Sequence, residues 1–387
     1  MSGLLLVSPY PPPADGIGAH TRMLAEALRE RVDVAVAAPG AAAPTDAAAG
    51  VHRVLGRHDA AARAALLDRC RPDAVFVQFA IAAYGAALPG LDHLLRLARR
   101  RGIRVLTVFH EPQRDVAALP GVAAAIYRRV ASFTDTPIVL AEPAREGLEA
   151  AGIDARAAVA VPLGVPALPP VSVFDVERVR VRYGLRGRIV LALGFVHADK
   201  GADVLAGAAP VLLPQVDDAT IVIAGEPRQR HGLFRVFGRA DARHLDALRE
   251  ATAWAGDRIR FCGFVADEDL PAVLAAATAM VLPYRRITQS GIAQLCVAGT
   301  VPAVASRLPG LEATLGDGAV YVPPDDPDAL AAALRRVLGD RVLRARQRAA
   351  LAERRTAWSP LIVADRILEV ALGDGAARSP LRPAASR

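Results

Sequence analysis

The stretch RIVLALGFVHADKGADVLAGA, residues 188–208, runs from an unbroken apolar segment, through a short polar turn, into a small-residue helical pattern. An apolar run without polar alternation suits a strand covered on both faces, as in a parallel sheet wrapped by helices. Working outward, the same unit recurs. Strands are expected at 4–9, 32–38, 74–79, 104–110, 137–141 and 157–162, then at 188–195, 219–225, 258–264, 279–284, 301–306 and 319–324. Alanine- and leucine-rich amphipathic stretches lie between them. In the second half they fall at about 200–214, 241–256, 267–277, 290–298 and 327–338, followed by a region at 340–372 broken near Trp358 and Pro360. Strand and helix in strict alternation predict an α/β fold.

The series is interrupted once. LGVPALPPVSVF, residues 163–174, is rich in proline, which removes backbone donors and stiffens a connection. At 387 residues two cores are the default. The expected organisation is a first Rossmann-like domain at 1–165, a linker at 166–174 and a second Rossmann-like domain at 175–357. A helix at 358–372, with the option of crossing back to the first domain, and a tail at 373–387 complete it. In such doubly wound sheets the functional loops lie at the carboxyl ends of the strands, so two tandem domains facing each other would share a cleft.

Composition narrows the function. Hydrophobic residues make up 53% and charged residues 22%, which is neither disordered nor membrane-spanning. The longest apolar stretch, 74–88, is shorter than a span and contains Gln78. The start, MSGLLLVSPYPPP, has no basic region before its apolar run and does not read as a signal peptide. Cys70, Cys262 and Cys296 lie far apart, as reduced cytoplasmic thiols would. The net charge of +7 lacks aromatic-interleaved basic stripes, so no nucleic-acid partner is expected. It suits an anionic small ligand, or weak peripheral contact with an acidic inner membrane face. The cluster Arg99, Arg100, Arg101 and Arg104 reads better as a helix end, where cations complement the dipole. The eight histidines show no ligand spacing and no metal is expected.

Lys200 is the only lysine of 47 basic residues, and asparagine is absent altogether, as codon drift toward arginine and alanine would produce. A lysine that persists against such drift marks a place where a compact ammonium fits and a planar guanidinium does not. Chance survival is the alternative. The position before Gly201, in what reads as a first helical turn, disfavours a cation unless an anion lodges there. YPPPADGIGAHT, residues 10–21, places Gly16 and Gly18 after the first strand. It is not a dinucleotide fingerprint, because the turn comes late and Thr21 fills the third glycine position. It stands as either a structural loop or a backbone cradle for an anion or sugar. In PYRRITQSGIAQLCVAGTVPAV, residues 283–304, Ser290 caps a helix and Gly291 leaves its amides uncovered, beside Arg285 and Arg286. VLTVFHEPQRD, residues 105–115, sets His110 at a strand's carboxyl end.

Taken together, the GIG loop, the DKGADVL helix start, IVIAGEP, IRFCGFVADEDLPAVLAAATAMVLPYR and CVAGTVPAVASRLPGLEATLGDGAVYVPPDDPDALAAAL resemble the GT-B glycosyltransferases, specifically retaining family 4, over about residues 1–372. The resemblance implies transfer of a sugar from a nucleotide-sugar co-substrate, with retention, without metal or other cofactor, to an acceptor that could be a glycan, a lipid-linked sugar or a small metabolite. It implies that Lys200 contacts the donor diphosphate and that Gly16 and Gly18 lie on the diphosphate or acceptor side. Ser290 and Gly291 would offer helix-start amides. Gly225 and Glu226, with Phe264 and Val265, would face the base, and His110 would lie beside the transferred sugar. Two departures stand out. Phe195 occupies the usual place of an arginine, for which Arg285 is the expected replacement. The usual pair of glutamates falls on Arg286 and Gln294, the latter still able to accept a ribose hydroxyl. An epimerase on the same scaffold, and a catalytically silent relative acting as a partner, are the alternatives.

Overall fold

The computed structural model describes residues 3–12, 16–227, 235–287 and 290–373. The chain divides into two compact units, Met1–Gly164 with Trp358–Arg387, and Val165–Ala357.

The first unit carries seven parallel strands: β1 (Gly3–Val7), β2 (Asp33–Ala37), β3 (Val51–His52), β4 (Ala74–Phe79), β5 (Arg104–Phe109), β6 (Thr136–Val139) and β7 (Val159–Ala160). Their spatial order is β3-β2-β1-β4-β5-β6-β7. Six are the expected ones; β3, Val51 and His52, stands between Gly50 and Arg53 outside any apolar run, whereas the equally short β7 lies within one. Strand side chains alternate between two cores. Leu5, Val7, Val75, Val77 and Phe79 enter one, and Leu4, Leu6, Phe76, Leu106 and Val108 the other. The second core is closed by the helix Pro360–Leu372, whose Val363, Ile367 and Val370 pack with Leu24 and Leu28 of the helix Gly16–Arg29. Arg31 and Asp365 form an ion pair at 2.8 Å between the same two segments.

The second unit carries β8 (Arg188–Leu193), β9 (Ala219–Ala224), β10 (Ile259–Phe261), β11 (Ala279–Leu282), β12 (Ala303–Ser306) and β13 (Ala319–Val322), all parallel, in the order β10-β9-β8-β11-β12-β13. The expected linker is extended only as far as Ser172. There a capping box, Ser172 with Asp175, starts the helix Val173–Tyr183, a signal present in the sequence but overshadowed by the prolines. That helix is anchored to its unit by Asp269, a fully buried carboxylate that accepts from Arg178 and, at 2.9 Å, from the Tyr183 hydroxyl. Among the described residues, no helix is long and apolar enough to cross a membrane.

Both sheets are Rossmann-like, and both reverse strand order once. The reversals lie between β1 and β4 and between β8 and β11. A doubly wound sheet opens a crevice beyond the carboxyl ends of the strands that flank its reversal.

Candidate functional site

In the second unit the loops after β8 and β11 meet at that crevice. Beyond β8, Gly194 turns with φ 111°, and a Cβ there would sit 3.1 Å from Ile292 in the first turn of the helix Gly291–Gly299. Phe195, in the place where the resemblance expects an arginine, is exposed. A one-turn 3₁₀ helix, Ala198–Lys200, follows, and Gly201 then caps the helix Ala202–Leu212. Lys200 therefore precedes the α-helix rather than occupying its first turn. Gly201 adopts φ 64°, and any Cβ would fall 1.8 Å from the Pro283 carbonyl oxygen. Only glycine lets the β8 turn pass so close to the end of β11.

The Lys200 ammonium lies 3.7 Å from the centre of the buried Tyr284 ring. A cation over an aromatic face is attracted by the ring's quadrupole, a contact that needs no carboxylate. Burial lowers the ammonium's pKa to about 8, partly opposed by Asp199. Asp199 itself is ion-paired at 3.0 Å with Arg286. Lys200 is thus a partly desolvated cation at a strand-order reversal, without full charge compensation.

Arg285 is differently placed. It donates to both oxygens of Asp203, at 2.9 and 2.6 Å, to Asp325 at 2.5 Å and to the Ala198 carbonyl at 2.5 Å. These bonds, that to Asp203 foremost, raise its pKa. In this structure its charge is matched by two carboxylates, Asp203 and Asp325. It braces the Lys200 turn against the loop after β11.

Ser290 caps the helix Gly291–Gly299, accepting from the Ala293 N–H at 3.2 Å. Among the described residues Gly291 has no heavy atom within 4 Å of a would-be Cβ, and it is exposed. Its backbone is open to a ligand. Gln294 is 4% exposed, and its side-chain oxygen is buried without a hydrogen-bond partner among the described residues. Thr288 and Gln289, in the same loop, lie outside the described residues. After β9, Gly225 lets the Gly194 carbonyl pass, 1.8 Å from where a Cβ would sit. The exposed Glu226 accepts the Val196 N–H on its backbone carbonyl at 3.0 Å. After β10, Phe264 is 67% exposed and Val265 is buried. Gly263 lies against the Glu226 carboxylate, with 3.2 Å between that oxygen and a would-be Cβ.

In the first unit Gly16 and Gly18 lie in the first turn of the helix Gly16–Arg29. Gly16 is exposed, with nothing among the described residues within 4 Å of a would-be Cβ, whereas Gly18 is buried against Pro9 and Pro11. Thr21, in the place of a third glycine, shares a 2.6 Å hydrogen bond with Ser8 and so ties the helix to the end of β1. His110 follows β5 and is 7% exposed, with Nε2 2.5 Å from the Gln78 side-chain oxygen. The Gln78 amide nitrogen lies 3.4 Å from Nδ1 of His20. Burial lowers His20 to about 4 and His110 to about 3, so both rings are neutral at pH 7. Beneath them Phe79, Phe109, Tyr84 and Tyr127 form a ring cluster with centroids 5.2–6.1 Å apart. The Tyr84 hydroxyl bonds to the Val7 and Gln78 carbonyls and so pins the ends of β1 and β4. Tyr284 and His20 were not singled out in the sequence. Their only signal there is position, just past a strand end and in the first turns of a helix.

Known proteins match both units. Residues 14–167 match Glycosyltransferase Family 4, and residues 187–340 match Glycosyl transferases group 1. The chain belongs to the family 4 glycosyltransferases. Among curated relatives of this family 4 chain, an alpha-D-kanosaminyltransferase of Streptomyces kanamyceticus is 33% identical over 43% of the chain and 41% of its own length. A phosphatidyl-myo-inositol mannosyltransferase of Mycolicibacterium smegmatis is 34% identical over 58% and 53%. The chain thus spans about half the length of these relatives or less. Among solved structures, Anabaena HepE in complex with UDP superimposes with a TM-score of 0.73 at 17% identity, over 96% of this chain and 99% of that one. Sucrose-phosphate synthase from Thermosynechococcus elongatus gives 0.70 at 19%, over 96% and 98%. The fold is GT-B, with two Rossmann-like parallel-sheet domains.

Proposed function

We propose that this chain is a retaining, metal-independent glycosyltransferase that moves a sugar from a nucleotide diphosphate sugar to an acceptor hydroxyl. The observation that carries the reading is the meeting of the Lys200 ammonium's turn with the open helix start at Gly291, where the second sheet reverses its strand order. As the glycosidic bond breaks, negative charge grows on the oxygen that bridges sugar and phosphate. A partly desolvated ammonium and uncovered helix amides stabilise that charge and need no reorganisation. Retention without a carboxylate nucleophile implies same-face attack, with the departing phosphate taking the acceptor proton. His110, neutral at pH 7, contacts the transferred sugar in this reading. Gly225, Glu226, Phe264 and Val265 face the base, and Gln294 accepts a ribose hydroxyl.

HepE was solved with UDP and with UDP-glucose, which supports a nucleotide-sugar donor. One relative's name points to a phosphatidylinositol acceptor and another's only to a transferred kanosaminyl group, so the acceptor class stays with glycans, lipid-linked sugars and small metabolites. A cytoplasmic site of action, with weak contact to an acidic membrane face, belongs to the same reading.

A thermal-shift panel of UDP-, GDP-, ADP- and dTDP-sugars, with and without EDTA, tests it. One base should stabilise the protein by about 2.7 kcal/mol at a hundredfold excess over Kd, with no effect of EDTA. No shift with any donor would favour the catalytically silent alternative.

A further inference from the structure

The first unit's crevice holds a row of three side chains, and beyond the contact of His110 with the sugar the donor chemistry gives the other two no part. His110 follows β5, Gln78 lies near the end of β4, and His20 lies in the helix after β1, so the row crosses the point where the strand order reverses. Nε2 of His110 is 2.5 Å from Oε1 of Gln78, and Nε2 of Gln78 is 3.4 Å from Nδ1 of His20. The far ring nitrogen of His20 is buried without a partner among the described residues. A neutral imidazole has one N–H and one bare nitrogen, and a primary amide has one accepting and one donating end. These facts make the row directional. An amide oxygen facing His110 requires the proton on Nε2 of that ring. The amide N–H₂ then faces Nδ1 of His20, which must be bare, so His20 also carries its proton on Nε2.

We propose that Gln78 is a positioning residue that couples the tautomers of His20 and His110, so that His110 presents bare Nδ1 as a hydrogen-bond acceptor for a sugar hydroxyl. The significance for turnover rests on the glycosyl-transfer reading above; the coupling itself does not. Reversing the amide would reverse both rings together and turn the His110 acceptor into a donor. The row therefore sets the polarity of the contact, and His20 sets it from one end without touching a ligand.

The test is the tautomeric state of both rings, read from ¹⁵N–¹H correlation spectra of the full-length protein, with donor kinetics alongside. In the wild type both rings are expected as the Nε2–H form. Gln78→Glu offers two accepting oxygens, so His20 should switch to Nδ1–H while His110 keeps Nε2–H. Gln78→Leu should leave His110 as a mixture, with kcat about tenfold lower or more and donor KM nearly unchanged, since a wrong tautomer can cost orders of magnitude in rate. Opposite tautomers on the two rings of the wild type, or an unchanged His20 in Gln78→Glu, would overturn the coupling. Altered spectra with no detectable transfer in any variant, wild type included, would count against the glycosyltransferase reading and leave the coupling standing.

Discussion

Raising the pH should weaken nucleotide binding in a way only Lys200 explains. Its ammonium has a pKa of about 8 in the free protein, because burial over the Tyr284 ring removes water faster than Asp199 compensates. A bound diphosphate favours the charged form, so the pKa rises on binding. The sign follows from linkage. Affinity is at its plateau below pH 8 and falls as pH rises through that value, about tenfold per pH unit, until the bound-state pKa is reached. A terminal phosphate, whose last ionisation lies near ~6, no longer titrates in this window. Nucleotide titrations by calorimetry at pH 7, 8, 9 and 9.5 give the slope. At pH 8, buffers of different ionisation enthalpy should report uptake of about half a proton, since half of the lysines are then neutral. Lys200→Met should abolish the slope and weaken binding roughly 10- to 150-fold, the worth of a charge-assisted hydrogen bond of about 1.5–3 kcal/mol. The same variant should unfold no more easily than wild type without ligand, because it removes a partly desolvated charge that has no bonded carboxylate among the described residues. Affinity that stays flat from pH 7 to 9.5, or a Met variant that binds like wild type, would refute the argument.

His110→Ala should leave nucleotide affinity within about twofold and lower turnover by about a hundredfold, read from initial rates against isothermal binding; equal losses in both would assign His110 to binding instead. Gly201→Ala places a methyl group against the Pro283 carbonyl in a left-handed conformation. It should cost about 1–2 kcal/mol from the backbone alone and more from the clash, visible as a lower urea midpoint. Gln294→Glu puts the family's usual acid at a site that is 4% exposed. Without ligand it should destabilise by about 1–3 kcal/mol, since a buried carboxyl lacks water, and part of that loss should be recovered on adding the nucleotide. A Glu variant as stable as wild type would mean that the site relaxes to admit water.

The strands were legible because each is an apolar run bounded by turn residues, and that pattern survives in any tertiary context. β3 was not, since Val51 and His52 stand between Gly50 and Arg53 outside any apolar run. Lys200 could be found because drift toward arginine left it conspicuous. Its seat on Tyr284 could not, because the two lie far apart in sequence and only the β8–β11 pairing joins them. The bonds of Arg285 to Asp203 and Asp325, 82 and 40 positions away, were equally hidden. Gln78 was noticed only as a polar interruption in an apolar strand. Its meaning appears when two histidines, one just past β5 and one in the helix after β1, arrive on either side of it.

The helix Pro360–Leu372 has a consequence for how the protein comes into being. It closes the core over Leu24 and Leu28, yet the ribosome makes it some 330 residues after them. The first half of the chain is therefore translated before its own seal exists, with two leucines worth about 1.5–3 kcal/mol each left wet until the end. The later unit has every one of its strands in hand before that moment and can mature first, so a polypeptide stopped at Ala357 would carry one finished lobe and one with an open seam.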